Sequence, residues 1–474
     1  MRRKATLLVF CGCLAALPVW AGNGPYLHGI GASNSSLGGV STALATDVVG
    51  ALTFNPALLT QFEGDQIYFG AEVFFDDPVA TARFNNTPQP DGSVLNGSFT
   101  TESETEPGVL PAIGFSHRFK NRPATLGFGL LAVAGFRTDW PHDPNNPIFA
   151  PQPDGFGSIK TNLAITKIPI AYAWEVNDKL SLGVSLTVHR GGLAISPLPP
   201  GAPDCTLPAP GSGRSADCFY ADADNVVSTH ALALQVGLYY KTSPTWAFGF
   251  SYETPKDFDD YTWESVVALP FDRLPDGSVV PNSDDGNGTP AFGSRRVLTY
   301  PLDLPAIASF GIGYTPQDSK WKVGFDARWF GLASTDGAGG VGGFRPDRGL
   351  NEIGWDDIFV AAVGAVYQHS ETTQWRFGFN YSETPIQSEV AFTSIGTPPT
   401  FKDHYTFGVG IALNDNITLD LSGYWAPERS VTGPLLTAFA VPSPQTLADQ
   451  IVPNTEFTIE ESIISALVGV SYKF

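Results

Sequence analysis

From residue 67 onward the chain keeps returning to one pattern, an apolar side chain at every second position. Leu180, Leu182, Val184, Leu186 and Val188 alternate with Ser181, Gly183, Ser185, Thr187 and His189. Trp321, Val323, Phe325, Ala327 and Trp329 alternate with Lys322, Gly324, Asp326 and Arg328. Trp375, Phe377, Phe379 and Tyr381 follow the same rule, as do Tyr405, Phe407, Val409, Ile411 and Leu413. A repeat of two is the period of a β-strand with two chemically distinct faces, and it excludes a helical bundle. In a soluble sandwich the second face would meet water. Here that face is mostly Gly, Ser and Ala, and only 16% of the chain is charged, against about 25% in ordinary soluble domains. The apolar rows also begin or end on rings: Trp174, Tyr240, Trp246, Tyr314, Trp321, Tyr367, Trp375 and Tyr472. Rings at the ends of an apolar band are the girdle of a membrane barrel. Closing the sheet leaves no unpaired edge in lipid. The fold class is therefore all-β, a membrane barrel.

Turn spacing supplies the strand number. Short polar turns fall near Asn121, Asp178, Ser243, Gln317, Glu371 and Asp415. The reverse connections are long and rich in Pro, Gly and Asp: 76–108, 137–162, 191–227, 257–300, 333–356, 385–401 and 428–461. Six short turns and seven long loops separate 14 antiparallel strands. An even count with short turns on one side and long loops on the other is the outer-membrane pattern. The last strand alternates through Ile464, Ala466, Val468, Val470 and Tyr472 and ends on the ring of Phe474.

The chain ahead of the strands is different. Arg2, Arg3 and Lys4, the apolar run 7–17 and the small-residue end at Ala21 read as a secretory signal peptide over residues 1–21. Its apolar core is shorter than the ~20 residues of a spanning helix. Residues 22–66 are rich in Gly, Ala and Ser, do not alternate, and suggest helical turns near 37–45 and 56–61. A segment of that composition packs closely, which predicts a plug inside the lumen, leaving 67–474 as the barrel. Cys205 and Cys218 remain after export, and in an oxidising compartment they are expected to pair with each other. The formal net charge of −20 excludes nucleic acid as a partner. Seven scattered His show no metal-ligand spacing, so neither metal nor cofactor is expected.

Within the plug, the order Leu37-Gly38-Gly39-Val40, Ala43, Asp47 and then Asn55-Pro56-Ala57 resembles the N-terminal hatch of the FadL-type long-chain fatty-acid transporters, a family that also imports aromatic hydrocarbons. Tyr252-Glu253-Thr254-Pro255-Lys256, Glu383-Thr384-Pro385 and the closing Val470-Ser471-Tyr472-Lys473-Phe474 add to the likeness. The resemblance spans essentially the whole mature chain. It implies a monomeric outer-membrane protein, not an enzyme, that takes up a hydrophobic ligand passively beneath the lipopolysaccharide. Ligand would be captured between outer loops, pass to a pocket beside the hatch, and leave sideways where the third strand kinks. Gly135 and Phe136 match that kink. Asn55-Pro56-Ala57 is expected both to start a helix and to hold the hatch against the wall opening.

For a fatty carboxylate, the resemblance points to a basic residue at the outer end of the fifth strand, where Arg190 falls beside His189. Alternation places His189 inward and Arg190 outward. A second basic residue, expected after the ninth strand, is replaced by the neutral run from Phe330 to Ser334, which leaves room for an uncharged ligand. Phe258, Tyr261, Trp263, Phe271 and Phe292 are the candidate lining of a capture groove. The inward set Lys322, Asp326, Arg328, Arg376 and Asp420 suits a network that anchors the plug. Two other functions compete. A hydrophilic porin needs an open lumen, and an outer-membrane lipase needs a Ser–His pair. His117 and His404 are assigned to the lipid-facing side, and no G-x-S-x-G is present.

Overall fold

The structure is a computed structural model that describes residues 22–89, 92–152, 154–197, 199–205, 218–266, 271–273, 279–281, 296–437 and 446–474. The expected signal peptide lies outside the described residues. Fourteen strands form the barrel. The first seven are β1 (Gln66–Asp76), β2 (Gly108–Arg118), β3 (Ala124–Trp140), β4 (Ile159–Glu175), β5 (Leu180–Ser196), β6 (Ala223–Lys241) and β7 (Trp246–Glu253). The second seven are β8 (Ile307–Tyr314), β9 (Trp321–Phe330), β10 (Ile358–Gln368), β11 (Thr373–Ser382), β12 (Asp403–Ala412), β13 (Ile417–Gly433) and β14 (Thr455–Lys473). Each pairs antiparallel with its chain neighbours, and β1 pairs with both β2 and β14, so the sheet closes.

Several strands run beyond the predicted loop boundaries. β3, β4 and β5 each have 17 residues, because their outer ends keep pairing after the apolar alternation has stopped. A hairpin of Val79–Pro88 and Val94–Glu102 pairs edge to edge with the outer half of β14, where Val79 lies opposite Glu460.

The two faces of the wall follow the sequence pattern. Phe69, Phe128, Phe250, Phe310, Phe377 and Phe407 point outward and are exposed, while Ser185, Gln235, Asp326, Arg376 and Asn380 are buried within. An exposed ring transferred to hydrocarbon gains roughly 1.5–3 kcal/mol, so this outer face is stable only in a bilayer. Among the described residues no helix is long and apolar enough to cross a membrane.

Residues 22–65 run through the space that the strands enclose. They form α1 (Ala32–Ser35), α2 (Val48–Phe54) and a 3₁₀ turn, Pro56–Gln61. The predicted helix near 37–45 is absent. Gly38 and Gly39 adopt positive φ angles of 66° and 81°, and the amides of Ser41 and Thr42 turn to the wall instead of to each other. α2 starts one turn later, where the Asp47 side chain accepts the Gly50 amide at 2.6 Å.

The wall admits this chain because its inward positions are small. At Gly183 and Gly249 a Cβ would collide with the backbone of Ala57 and the carbonyl of Thr42, respectively. Charge completes the fit. Asp326 accepts Ser41 N at 2.9 Å, Thr42 N at 3.0 Å and Thr42 Oγ1 at 2.8 Å. Its partner Arg328, 2.8 Å away, donates to the Gly39 carbonyl and stacks 3.9 Å from the Phe54 ring. Arg376 and Asp420 pair at 2.6 Å. Lys322, assigned to the same network, is exposed at the strand end and takes no part in it.

Candidate functional site: a lumenal pocket beside a break in the wall

The wall is not uniformly paired. β2 bonds to β3 from Arg118 opposite Thr125, beside their turn, up to Ala112 opposite Leu131, and there the ladder stops. β3 itself continues to Trp140, held on its other side by β4, with a register shift between Ala132 and Ala134. Residues 25–27 cover part of the edge that β2 leaves free. Leu27 N donates to Val133 O at 3.0 Å, and Gly135 N donates to Pro25 O at 2.8 Å. Gly135 has φ 154°, a value glycine adopts more readily than residues with a Cβ. The predicted kink residues therefore sit at a bulge beside a pairing gap, with a strand-like piece of the N-terminal segment laid along it. Leu27, Ile30, Ala71, Leu110, Ala112 and Ala132 line a small space in that gap.

Behind the gap lies a small lumenal pocket. Its apolar walls are Tyr26, Leu27, Ile30, Phe54, Val133, Ile307 and Phe330. Its polar end is Lys167 of β4, His189 of β5, Gln235 of β6, and Ser251 and Glu253 of β7. Lys167 Nζ lies 3.0 Å from Glu253 Oε1, 3.1 Å from Gln235 Oε1 and 3.2 Å from Thr53 O. His189 Nε2 is 3.6 Å from Glu253 Oε1, and Lys256 Nζ is 3.6 Å from Glu253 Oε2. Lys256 also donates to Pro305 O at 2.9 Å. Burial draws the Lys256 ammonium down to about 8, opposed by Glu253 and reinforced by Lys167.

The sequence reading found His189 but not Lys167, Gln235 or Glu253 as pocket residues. Glu253 and Lys256 carried a signal only as part of the Tyr252–Lys256 motif. Lys167 had a weaker one, a charge on the inward face of an otherwise apolar strand.

Arg190 stands elsewhere. It is on the outer face of β5 and donates to Ser228 Oγ at 2.8 Å, so it lines neither this pocket nor the outer cavity. Alternation holds up to that strand end, which is why His189 enters the lumen and Arg190 does not. Asn55 both caps the 3₁₀ turn, accepting Ala57 N at 3.1 Å, and reaches the wall, donating to Leu238 O at 2.9 Å. That tether goes to β6, not to the gap beside β3.

Above the pocket, among the outer loops, is an apolar cavity. Phe136, Ile159, Leu193 and Ile195 supply its strand side, and Tyr300, Leu302, Phe344, Leu350, Ile353 and Phe392 its loop side. Phe136 packs edge-on against Trp355 at 6.4 Å. The rings proposed for capture are not here. Phe258, Tyr261 and Trp263 are buried and stacked on one another, with Trp263 Nε1 bonded to Asn225 O at 2.9 Å. They pack a loop onto the wall instead of opening a groove. The side chain of Phe271 and all of Phe292 lie outside the described residues. Cys218 is disulfide-bonded, and the backbone sets Cys205 directly opposite it.

His404 does not face lipid. It is buried, and its ring stacks on His28 of the N-terminal segment at 5.0 Å, since its neighbour Tyr405 takes the outward position. His117 keeps the outward parity and bonds Asp65 at 2.9 Å.

Comparison with known proteins agrees with this architecture. The family described as outer membrane protein transport protein (OMPP1/FadL/TodX) matches residues 23–431. A long-chain fatty acid transport protein of Escherichia coli O6:H1 is 21% identical over 421 residues, covering 85% of each chain. The toluene transporter TodX of Pseudomonas putida superposes with a TM-score of 0.67 at 18% identity, over 94% of this chain and 99% of that one. A FadL homologue of Pseudomonas aeruginosa gives a TM-score of 0.69 at 14% identity, over 95% and 100%.

Proposed function

Since the chain belongs to the OMPP1/FadL/TodX family of outer membrane transport proteins and is an integral outer-membrane barrel, we propose that it carries hydrophobic compounds inward, without an energy source and without chemistry. Its relatives are named for long-chain fatty acids and for toluene, which defines the range of cargo. In this reading residues 1–21 are removed on export, residues 22–66 act as the hatch, and a monomer works amid outer-membrane lipid and lipopolysaccharide. Cargo enters the outer apolar cavity, moves to the lumenal pocket, and leaves through the gap between β2 and β3.

One observation carries the reading. A single five-residue stretch of β3, 132–136, borders all three spaces: Phe136 the outer cavity, Val133 the lumenal pocket, and Ala132 the gap. Burial of a hydrocarbon along such a route gains about 0.8 kcal/mol per CH₂, ample for capture from a dilute source. A hydrophilic porin would need the lumen that residues 22–65 fill.

The test replaces Gly135 by Val. The φ of 154° and the bond to Pro25 are both disturbed, so uptake of a radiolabelled hydrophobic tracer by whole cells is expected to fall severalfold while the heat-modifiable, folded barrel is retained. Unchanged uptake by a folded variant overturns the sideways exit.

A further inference from the structure

The polar end of the lumenal pocket decides what kind of head group it accepts. A lysine ammonium has three donors and no acceptor. All three donors of Lys167 are directed at protein acceptors: Glu253 at 3.0 Å, Gln235 at 3.1 Å and the Thr53 carbonyl at 3.2 Å. This cation lines the pocket but has no donor left for a ligand carboxylate. The second cation, Lys256, is fully buried, spends a donor on Pro305 O, and does not line the pocket. A ligand anion entering here would also meet the carboxylate of Glu253 at close range.

Two polar atoms on pocket-lining side chains are in the opposite condition. Tyr26 Oη and His189 Nδ1 have no hydrogen-bond partner among the described residues, although their residues are only 7% and 1% exposed. A buried polar group left unpaired is destabilising, so each is a standing site for a complementary group. The Tyr26 ring is fixed between Phe330, 5.3 Å away, and the Lys256 ammonium, 5.8 Å from its centroid. Its hydroxyl therefore cannot swing freely out of the pocket.

Resting on the transport reading above, we infer that the lumenal pocket selects uncharged hydrophobic molecules bearing a single hydroxyl or carbonyl group, which Tyr26 and His189 bind, over both carboxylates and plain hydrocarbons. A hydroxyl can donate or accept as either partner requires, and a carbonyl accepts from the Tyr26 hydroxyl. The rest of the molecule lies against Leu27, Ile30, Phe54 and Val133.

The experiment compares three probes of one shape at pH 7: toluene, p-cresol and p-toluate. Binding to the purified protein in lipid nanodiscs is measured by titration calorimetry, with empty nanodiscs subtracted. One extra satisfied hydrogen bond predicts p-cresol bound roughly five- to tenfold more tightly than toluene. The anion p-toluate is expected to bind more weakly than p-cresol by at least about tenfold. In Tyr26→Phe the p-cresol to toluene ratio is expected to fall towards one, with heat-modifiable mobility confirming the fold. Toluene binding without any preference for p-cresol overturns this inference and leaves the transport reading standing. Tightest binding of p-toluate likewise overturns it, since Lys167 would then have surrendered a donor. Failure of all three probes to bind also overturns this inference, while the transport reading stands or falls on tracer uptake by the Gly135→Val variant.

Discussion

Asp326 is the residue on which the N-terminal segment leans most heavily, and its removal gives a quantitative test. Its carboxylate accepts Ser41 N, Thr42 N and Thr42 Oγ1 while pairing with Arg328 at 2.8 Å, all in a buried setting. Hydrogen bonds to a charged acceptor are worth about 1.5–3 kcal/mol each, but three on one group do not add. Removing one member of a buried ion pair costs about 3–5 kcal/mol, because the other charge is stranded. Asp326→Ala should therefore weaken docking of residues 38–44 by roughly 3–5 kcal/mol. At about 1.4 kcal/mol per decade, hydrogen exchange at Ser41 and Thr42 should accelerate by about two to three and a half orders of magnitude. The assay is exchange mass spectrometry on the purified barrel. Peptides from β12 and β13, which do not touch Asp326, serve as internal reference. Asp326→Asn keeps an acceptor and should fall between the two. Exchange at Ser41 and Thr42 within about threefold of wild type would refute the anchoring role.

Three further outcomes are expected. Gly249→Leu drives a side chain into the Thr42 carbonyl, where backbone cannot yield cheaply, so planar-bilayer recordings should reveal leak conductance that the wild type lacks; a variant as closed as wild type would contradict the packing. Leu350→Asp places a charge in the apolar outer cavity, on the loop between β9 and β10, and should cut tracer uptake severalfold at unchanged barrel yield. Burial pushes the Asp303 carboxyl from 3.8 up to about 6, with the Phe258 amide opposing and Asp257, Asp336 and Asp260 adding to the rise. A raised folded-state value stabilises fully below about pH 3.8 and is lost as pH climbs through about 6, so protease resistance of residues 254–266 should decline from pH 4 to 7. Asp303→Asn should flatten that profile.

Much of the fold is legible because membrane and lumen impose opposite chemistry on adjacent residues. Phe377 and Gly378 differ as they do because one meets hydrocarbon and the other meets the backbone of Gly38. Strand number followed from turn spacing for the same reason. The segment 37–45 misled because Leu37, Val40 and Leu44 have helical spacing, while the wall, through Asp326, claims the amides a helix would use.

The site was harder to read. Lys167, His189, Gln235 and Glu253 come from four neighbouring strands, and no local pattern announces that they meet. The gap between β2 and β3 is a pairing that does not occur, which composition cannot display. Tyr261 and Trp263 look like a groove in sequence, but an aromatic in a loop reads alike whether it faces a ligand or packs on Gly191.

The three residues laid against Val133 and Gly135 have a mechanical consequence. Those peptide groups are buried, where an unpaired amide or carbonyl costs roughly 1–3 kcal/mol. Pulling residues 25–27 away would leave them without partners, and that penalty acts as a restoring force on the segment. A seam held this way stays shut at rest, because an empty frame is worse than a filled one.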